Sequence, residues 1–378
     1  MNVLILMSNT GGGHRSVSLA VQRALYDLDP GGISTEIVDV FDLENPALFD
    51  RVTRLYGPVS RYLPNLYGWA FHMMDRPAVY RTLFEGSTKP LVPKIVRLLE
   101  DRRPDVVVTT HPLCNRALVR ARDRVDPELP IVATVTELVT VHRSWVEAGI
   151  DRYTVATDEA HEAVLGFGAP PELITQTGLP ILGAFGTIAT PQAELRERWG
   201  LDPDRFTALL VGGGEGSGGL DKLVAEIDAS GIDLQLMVVC GRNEQLRTKL
   251  DAGDWGIPTL VYGFVDNMSE LMHAADVVMT KGGPQSITEG LASGRPLVIT
   301  QTLPGQEEGN AEFVEHHGVG YDGRERTRAV QSLRRLADHP EERERMSRRA
   351  RGMAQSEAAR RIAQVCLDAG SRVKAEAS

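Results

Sequence analysis

The feature that most constrains the fold of this chain is a repeated unit of an apolar run, a glycine-rich loop and an amphipathic helix. Residues 3–7 form the first apolar run, and residues 16–28 then carry apolar side chains at the 3.6-residue spacing of a helix. Runs without alternating polar residues, such as residues 106–108, are typical of strands buried on both faces of a parallel sheet. Because the unit recurs in both halves of the chain, the sequence predicts an α/β fold of two doubly wound, Rossmann-like domains.

The predicted strands fall into two groups. They cover residues 3–7, 35–40, 105–110, 131–136 and 153–156 in the first half, and residues 207–211, 236–239, 259–261, 277–280 and 296–300 in the second. The stretch from Thr177 to Gly183 is broken by glycine and proline, so it predicts a crossing between domains. We expect domains at residues 1–183 and 184–355, facing a central cleft, and a C-terminal helix at residues 356–378 that packs back on the first domain.

Charge and cysteine content argue against several classes of protein. A formal net charge of −10 at pH 7 disfavours broad nucleic-acid binding, which requires a basic surface. Cys114, Cys240 and Cys366 are few and far apart, so they indicate neither a disulfide framework nor a zinc site and favour a cytoplasmic protein. The apolar start is too short for a signal peptide, and no run approaches the ~20 apolar residues of a membrane span. Any contact with a membrane is therefore expected to be peripheral.

The first candidate site is the loop Gly11-Gly12-Gly13-His14-Arg15-Ser16, between the first strand and the first helix. Ligands of open parallel sheets bind beyond the carboxyl ends of strands, and glycine lets a backbone or a phosphate approach closely. We expect His14 to face the cleft and to act as a general base, with a pKa near neutral pH. The alternative is a glycine-rich turn with an incidental histidine.

A second loop, Gly212 to Gly219, follows the strand at residues 207–211. Its backbone amides and the Ser217 hydroxyl are suited to wrapping a diphosphate. Residues 214–219 also match the dinucleotide fingerprint, which expects an acidic residue at the end of the next strand. Arg242 stands there instead, so an NAD-dependent oxidoreductase is disfavoured, and no Walker pattern is present.

Two further polar loops follow strands in the second half. In the loop from Thr280 to Glu289, the Ser286 and Thr288 hydroxyls lie at a helix start that favours phosphate, and Glu289 is suited to accept both hydroxyls of a ribose. A carboxylate interacting with the helix dipole explains Glu289 equally simply. The loop from Leu303 to Asn310 offers amides and carboxylates to a sugar ring, although a solvated surface loop has the same composition.

Together these motifs resemble glycosyltransferase family 28, and within it the galactolipid and glucolipid synthases that glycosylate diacylglycerol. The matching segments occur in the family's order and cover nearly the whole chain. They are Gly11-Gly-Gly-His14-Arg15, Thr110-His-Pro112, Val135-Thr-Glu137-Leu-Val-Thr-Val-His142-Arg-Ser-Trp145, Gly212-Gly-Gly-Glu-Gly216, Cys240-Gly-Arg-Asn243, Gly263-Phe-Val-Asp-Asn267-Met268, Thr280-Lys-Gly-Gly-Pro284 and Pro304-Gly-Gln-Glu-Glu-Gly-Asn310.

The resemblance implies a GT-B fold and metal-independent, inverting transfer from UDP-glucose or UDP-galactose, without a cofactor. It assigns the acceptor to the N-terminal domain and the donor to the C-terminal domain. The donor-binding residues it implies, together with those of the glycine loops, are Gly213, Gly214, Glu215, Gly216, Ser217, Arg242, Gly263, Phe264, Val265, Met268, Gly283, Pro284, Ser286, Thr288, Glu289, Gln306, Glu307 and Asn310. Uracil is expected at residues 263–265, the ribose at Glu289, and the sugar at Gln306 and Glu307.

The catalytic and acceptor residues lie in the first half. His14 is the expected base, with Glu137 or His111 orienting it or sharing its proton. The expected acceptor-binding residues are Gly12, Gly13, Tyr62, Trp69, His142 and Trp145. The family's Val-Thr-Asp is Val135-Thr136-Glu137 here, and its Lys-Ala-Gly-Pro-Gly-Thr-Ile-Ala-Glu-Ala is Lys281-Gly-Gly-Pro-Gln-Ser-Ile-Thr-Glu-Gly290, so both acceptor and donor phosphate contacts differ.

Residues 49–85 interleave arginines with aromatic residues, a composition that fits docking on an anionic membrane at the cytoplasmic face. An ordinary pair of helices with an aromatic core has the same composition. A lipid acceptor of the diacylglycerol type is the leading interpretation. The alternatives are a polyprenyl-linked acceptor, a small secondary metabolite, or a nucleotide-sugar-binding regulator without transferase activity.

Overall fold

The computed structural model describes residues 1–8, 12–40, 63–80, 82, 88–214, 216 and 219–376, with the backbone alone for residues 372–376. The chain divides into two compact units. The N-terminal unit contains Met1–Leu182, Leu303–Glu308 and Gln355–Ser378, and the C-terminal unit contains Gly183–Thr302 and Gly309–Ala354. The segment Leu303–Glu308 was expected in the second domain, but its contacts lie with a helix of the first.

The N-terminal unit is built on a six-stranded parallel sheet of order β2-β1-β3-β4-β5-β6. The strands are β1 (Asn2–Met7), β2 (Ser34–Asp39), β3 (Val106–Thr109), β4 (Ile131–Thr134), β5 (Arg152–Val155) and β6 (Ile174–Gln176). The longer helices described before the second unit are α1 (Gly12–Leu28), α2 (Pro64–Met74), α3 (Val92–Arg102), α4 (Pro112–Val125) and α5 (Asp158–Gly166).

The C-terminal unit repeats this architecture, with a six-stranded sheet of order β12-β11-β10-β7-β8-β9. Its strands are β7 (Thr207–Val211), β8 (Gln235–Val239), β9 (Thr259–Tyr262), β10 (Val277–Lys281), β11 (Leu297–Gln301) and β12 (Gly320–Asp322). Its helices are α6 (Gln192–Arg198), α7 (Leu220–Asp228), α8 (Glu244–Asp251), α9 (Met268–Ala274), α10 (Pro284–Ala292), α11 (Asn310–His316), α12 (Arg326–Asp338) and α13 (Pro340–Met353). The last helix, α14 (Ala358–Glu376), returns to the N-terminal unit.

Strand β1 shows why the sheet requires apolar residues at successive positions. Leu4 and Leu6 pack into a core on one face of the sheet. Val3 and Ile5 pack into a core on the other face, to which α14 contributes buried side chains including Ile362. Because successive side chains of a strand point to opposite faces, a strand covered on both sides must be apolar throughout.

Each sheet changes winding direction between two of its strands, and ligands of such sheets bind beyond the carboxyl ends at this point. In the N-terminal unit, the change lies between β1 and β3, so the chain after Met7 and the chain after Thr109 meet there. In the C-terminal unit it lies between β7 and β10, which brings together the loops after Val211 and after Lys281. The loops after β1, β7 and β10 are those that the sequence predicted as sites.

The fold of two doubly wound domains is confirmed, and all ten predicted strands are present, with ends that differ by at most two residues. The sequence missed β6 and β12, which contain three residues each and lie at sheet edges. Helix α1 begins at Gly12 rather than at residue 16, so His14 lies in the first turn of the helix and not in the loop before it.

Candidate active site

His14 is held at the switch point of the N-terminal sheet by the end of β3. Its Nδ1 lies 2.7 Å from the carbonyl oxygen of Thr110 and 3.3 Å from Thr136 Oγ1. A carbonyl oxygen can only accept, so Nδ1 carries the proton and Nε2 keeps its lone pair. The Ser18 hydroxyl supports this arrangement through contacts of 2.9 Å with the His14 carbonyl oxygen and with Thr110 Oγ1. The orienting group found for His14 is therefore the Thr110 carbonyl, where we expected Glu137 or His111.

The two histidines at this switch point are both neutral at physiological pH. Burial lowers the pKa of His14 to about 4, although the bond to the Thr110 carbonyl acts in the opposite direction. The expectation of a near-neutral pKa for His14 is therefore wrong, because desolvation disfavours the imidazolium. His111 stacks edge-on against His14 with ring centroids 4.5 Å apart. Burial, and then the charge of a protonated His14, place the pKa of His111 well below its ordinary value.

His111 and Glu137 are both buried beside this site. His111 caps α4 by accepting a hydrogen bond from the backbone N–H of Leu113 at 3.3 Å. Burial raises the pKa of Glu137 to about 8, against the opposing effects of Trp145, the local backbone and Gln306. Its carboxyl group is thus largely protonated at pH 7, and it becomes a base only at higher pH.

The residues expected to bind the acceptor differ in accessibility. A Cβ on Gly12 or Gly13 would meet no atom within 4 Å, so the space beside these residues is open. Trp145 is fully buried in the core of the N-terminal unit, and His142 is buried against Phe71, with ring centroids 4.9 Å apart. Neither of these two side chains is exposed to an acceptor. Trp69 lies on α2 with 62% of its surface exposed, and Tyr62 lies outside the described residues.

In the C-terminal unit, the loop after β7 packs against the turn after β8. Gly214 accepts a hydrogen bond from the Arg242 backbone N–H at 2.9 Å, and Asn243 Nδ2 donates to the Gly216 carbonyl at 3.1 Å. Gly216 and Gly241 have φ values of +57°, and a Cβ on either would lie within 2.5 Å of a carbonyl oxygen of the other segment. These two glycines are therefore required by packing between the loops.

Gly213 differs from those two glycines. It has a φ of +69°, and a Cβ there would meet nothing within 4 Å, so the space beside it is open to a ligand. Its carbonyl oxygen accepts from the Gly216 N–H at 3.1 Å. The N–H of Gly214 points the opposite way, because C=O and N–H are antiparallel across a trans peptide. Glu215 and Ser217, both expected to contact the donor, lie outside the described residues.

An aromatic platform follows β9. Phe264 is 58% exposed, and the Arg242 guanidinium lies 5.1 Å from the centre of its ring. Gly263 and Val265 are the neighbours of Phe264 in the chain, and Met268 is the first residue of α9. An exposed ring beside a guanidinium offers two planar surfaces on which a nucleobase can stack.

Helix α10 begins at the C-terminal switch point, with Gly283 as its N-cap and Pro284 as its first residue. Burial raises the pKa of Glu289 to about 7, while its hydrogen bond with Gln285 acts in the opposite direction. Ser286 lies in the first turn. The Thr288 hydroxyl donates to the Pro284 carbonyl at 2.9 Å, so its proton is used within the helix and is not offered to a phosphate as expected.

Three buried oxygen atoms, near the end of β10, at the end of β11 and at the start of α11, have no hydrogen-bond partner among the described residues: Thr280 Oγ1, Gln301 Oε1 and Asn310 Oδ1. Asn310 is anchored by its Nδ2, which donates to the Gly282 carbonyl at 2.7 Å, and Gly282 N–H donates to the Gln301 carbonyl at 2.6 Å. Buried oxygens left unpaired are costly, so they mark where a ligand or a water supplies donors.

The two residues expected to meet the sugar lie on the segment Leu303–Glu308. Glu307 is buried, and its Oε2 accepts the Leu303 N–H at 2.8 Å, which closes the loop on itself. Gln306 Oε1 accepts the Tyr67 hydroxyl proton at 3.2 Å. Both side chains thus already have protein partners.

Comparison with known proteins assigns the chain to a family. Residues 14–181 match the monogalactosyldiacylglycerol (MGDG) synthase family model, and residues 207–365 match the glycosyltransferase family 28 C-terminal domain. A probable monogalactosyldiacylglycerol synthase 2 of Oryza sativa subsp. indica is 32% identical over 368 residues, which cover 94% of this chain and 78% of the relative. The chain belongs to the monogalactosyldiacylglycerol synthase family of glycosyltransferases.

Among other members of this family, the monogalactosyldiacylglycerol synthase of Spinacia oleracea is 30% identical over 328 residues, covering 84% of this chain and 62% of the spinach protein. The chain therefore spans less than two thirds of that relative's length.

Solved structures share the fold. MurG of Acinetobacter baumannii has a TM-score of 0.65 at 15% identity, covering 97% of this chain and 99% of its own. A UDP-GlcNAc 2-epimerase of Neisseria meningitidis bound to UDP-GlcNAc has a TM-score of 0.64 at 14% identity, with 97% and 100% covered. The predicted GT-B fold is thus confirmed.

Several residues of the candidate site were missed by sequence reasoning. Thr110 orients His14 through its backbone carbonyl oxygen. A backbone contact of this kind leaves no signal in the pattern of side chains along the sequence. Thr280 is the last residue but one of β10, and Gln301 ends the adjacent strand β11, so their position at the carboxyl edge of the sheet was the available signal. Gln285 lies one helical turn before Glu289, a spacing at which helical side chains meet.

Proposed function

We propose that this glycosyltransferase transfers a hexose from a UDP-sugar to diacylglycerol at a membrane surface, with inversion at the anomeric carbon. The observation that carries the proposal is the single tautomer of His14, whose Nε2 is left as an acceptor at the switch point where ligands bind. A neutral imidazole next to open space at Gly12 and Gly13 is suited to accept a hydroxyl proton.

The donor is proposed to bind the C-terminal unit. Stacking on Phe264 and Arg242 suits the uracil. The partly buried carboxyl group of Glu289 suits the ribose, whose hydroxyls would donate hydrogen bonds to it. The Gly214 amide and the Ser286 hydroxyl at the start of α10 suit the diphosphate. The names of the relatives and the UDP-GlcNAc held by a structure of the same fold support a nucleotide-sugar donor.

The proposed chemical step is a single displacement. The acceptor oxygen attacks the anomeric carbon, its proton passes to His14 Nε2, and the bond from that carbon to the UDP oxygen breaks with departure of UDP. Preorganised amides, hydroxyls and the helix dipole of α10 are proposed to stabilise the departing diphosphate without a metal ion.

The membrane contact is proposed to involve α2. Leu63, Leu66 and Trp69 are exposed by 53%, 51% and 62%, and their three-residue spacing places them along one side of the helix start. Exposed apolar residues in such a row are typical of a surface that meets lipid. Five arginines were expected to assist. Arg76 is described and exposed, and those at residues 51, 54, 61 and 81 lie outside the described residues. Within the part of the chain that the structure describes, no helix is sufficiently long and apolar to span a bilayer.

An acceptor panel tests the proposal. The protein is incubated with UDP-galactose or UDP-glucose and with diacylglycerol vesicles, a polyprenyl-linked acceptor or water-soluble aglycones, and products are identified by mass. Hexosyl-diacylglycerol is the expected product. Transfer only to a polyprenyl-linked or soluble acceptor would contradict the lipid assignment, and donor binding without any product would indicate a nucleotide-sugar-binding regulator.

A further inference from the structure

The segment Leu303–Glu308 is packed against α2 of the N-terminal unit at very short range. A Cβ on Gly68 would lie 2.6 Å from Pro304 Cβ, and a Cβ on Gly305 would lie 2.8 Å from Phe71 Cβ. Gly305 also has a φ of +84°, which disfavours any side chain. The absence of side chains at these two positions therefore lets the loop lie directly on the helix.

Two polar contacts fix how the loop lies on α2. The Tyr67 hydroxyl donates to Gln306 Oε1 at 3.2 Å, and His72 Nε2 lies 2.9 Å from Glu308 Oε2. The His72 contact is exposed at both partners, so it contributes little to the stability of the loop. The part-buried Tyr67 contact is the more specific one.

The Tyr67 contact decides the direction of the Gln306 carboxamide. Because Oε1 accepts from Tyr67, the NH₂ group is presented on the other side, and Gln306 also hydrogen-bonds the Glu137 carboxyl. The two ends of a carboxamide have nearly the same shape but opposite hydrogen-bonding roles, so its partners determine which end faces a ligand.

We propose that Tyr67 is a positioning residue for donor recognition, which fixes the Gln306 carboxamide so that the N-terminal helix α2 takes part in selecting the hexose. The inference rests on the proposed function, because it requires Gln306 to meet the donor sugar. Hexose epimers differ in the direction of one hydroxyl, and a carboxamide held in one orientation discriminates between them. Without the Tyr67 contact, the carboxamide keeps its bond to the Glu137 carboxyl, which can donate or accept when protonated and so does not fix which end faces the ligand. A carboxamide held less firmly in one orientation discriminates less.

The test compares Tyr67→Phe with Tyr26→Phe, a matched control at a half-exposed tyrosine on α1. Steady-state kinetics are measured with UDP-galactose and UDP-glucose at saturating diacylglycerol. For Tyr67→Phe, we expect the KM of the preferred donor to rise about five- to tenfold, the effect of one hydrogen bond. The ratio of kcat/KM between the two donors should move toward one, while the KM for diacylglycerol stays unchanged.

A double-mutant cycle shows whether Tyr67 acts through Gln306. In a Gln306→Ala background, Tyr67→Phe should have no further effect on the donor ratio, and an additive effect would overturn the inference. Gly68→Ala keeps Tyr67 but displaces the loop, so it should reproduce the donor defect, and it carries the test if Tyr67→Phe does not fold. Wild-type donor kinetics in both variants would also overturn the inference. An inactive wild-type protein would refute the proposed function instead.

Discussion

At the scale of single residues, His14 and Glu137 have opposite protonation states at neutral pH. The pKa of about 4 leaves His14 neutral and able to accept a proton throughout the neutral range, whereas the pKa of about 8 keeps Glu137 mostly protonated there. We expect kcat, measured with both substrates saturating so that titration of Glu289 does not limit donor binding, to be level from about pH 6 to 9 if His14 is the base. A rise of the rate centred near pH 8, abolished by Glu137→Gln, would assign the base to Glu137.

Removal of the imidazole should affect the chemical step and not donor binding. We expect His14→Ala to lower kcat by about 10²–10⁴-fold, the usual contribution of a general base, with the KM for the UDP-sugar nearly unchanged. Arg23→Ala, at an exposed position on the same helix, is the control. Turnover of His14→Ala near the wild-type rate at saturating substrates would show that another group takes the proton.

Glu289 is expected to lower the stability of the folded protein at high pH. Its pKa is raised from 4.5 to about 7, so the folded state holds the proton more tightly than the unfolded state, and stability falls as the pH rises through this window. Glu289→Gln should therefore raise the Tm at pH 8.5 but not at pH 4, measured by differential scanning calorimetry. The same variant should bind UDP more weakly. A lower Tm at pH 8.5 would contradict the argument.

At the residue scale, sequence can predict which side chains stand after a strand, and their chemical roles remain predictions. His14 and Glu289 were identified as candidates in this way. Thr110 was not, because its functional group is a backbone carbonyl whose direction depends on the strand end. Thr288 was misassigned because a threonine inside a helix commonly donates to the carbonyl four residues earlier.

At the scale of elements, α2 is the part of the molecule to which two roles are proposed. Leu63, Leu66 and Trp69, at and near its start, are exposed to solvent. Gly68 and Phe71 pack against the segment Leu303–Glu308. These contacts were not predictable, because Tyr67 and Gln306 are 239 positions apart and neither shows a pattern that pairs it with the other.

The lipid role of α2 is tested by vesicle flotation. Leu66→Ser combined with Trp69→Ser should weaken binding to anionic vesicles at least ~10-fold, because burial of each large apolar side chain contributes about 1.5–3 kcal/mol. Tyr26→Ser on α1 removes an exposed aromatic residue elsewhere and should leave binding unchanged. Equal flotation of all three proteins would remove α2 from the membrane contact.

At the scale of the whole molecule, the sequence predicts the two sheets because their central strands are uninterrupted apolar runs bounded by loops. The edge strands β6 and β12 escaped prediction because three residues are too few to form a pattern. The place of Leu303–Glu308 depends on packing and not on local sequence, so the boundary between the units could not be predicted there.

The central claim is hexose transfer from a UDP-sugar to diacylglycerol, and it is tested most directly by measuring UDP release and lipid labelling together. Labelled UDP-galactose and UDP-glucose are supplied separately with diacylglycerol vesicles, with and without EDTA. We predict one hexosyl-diacylglycerol formed for each UDP released from at least one donor, at a rate that EDTA does not change and that falls at least about 100-fold in His14→Ala. Release of UDP without labelled lipid, or labelling at near the wild-type rate in His14→Ala, would contradict the account.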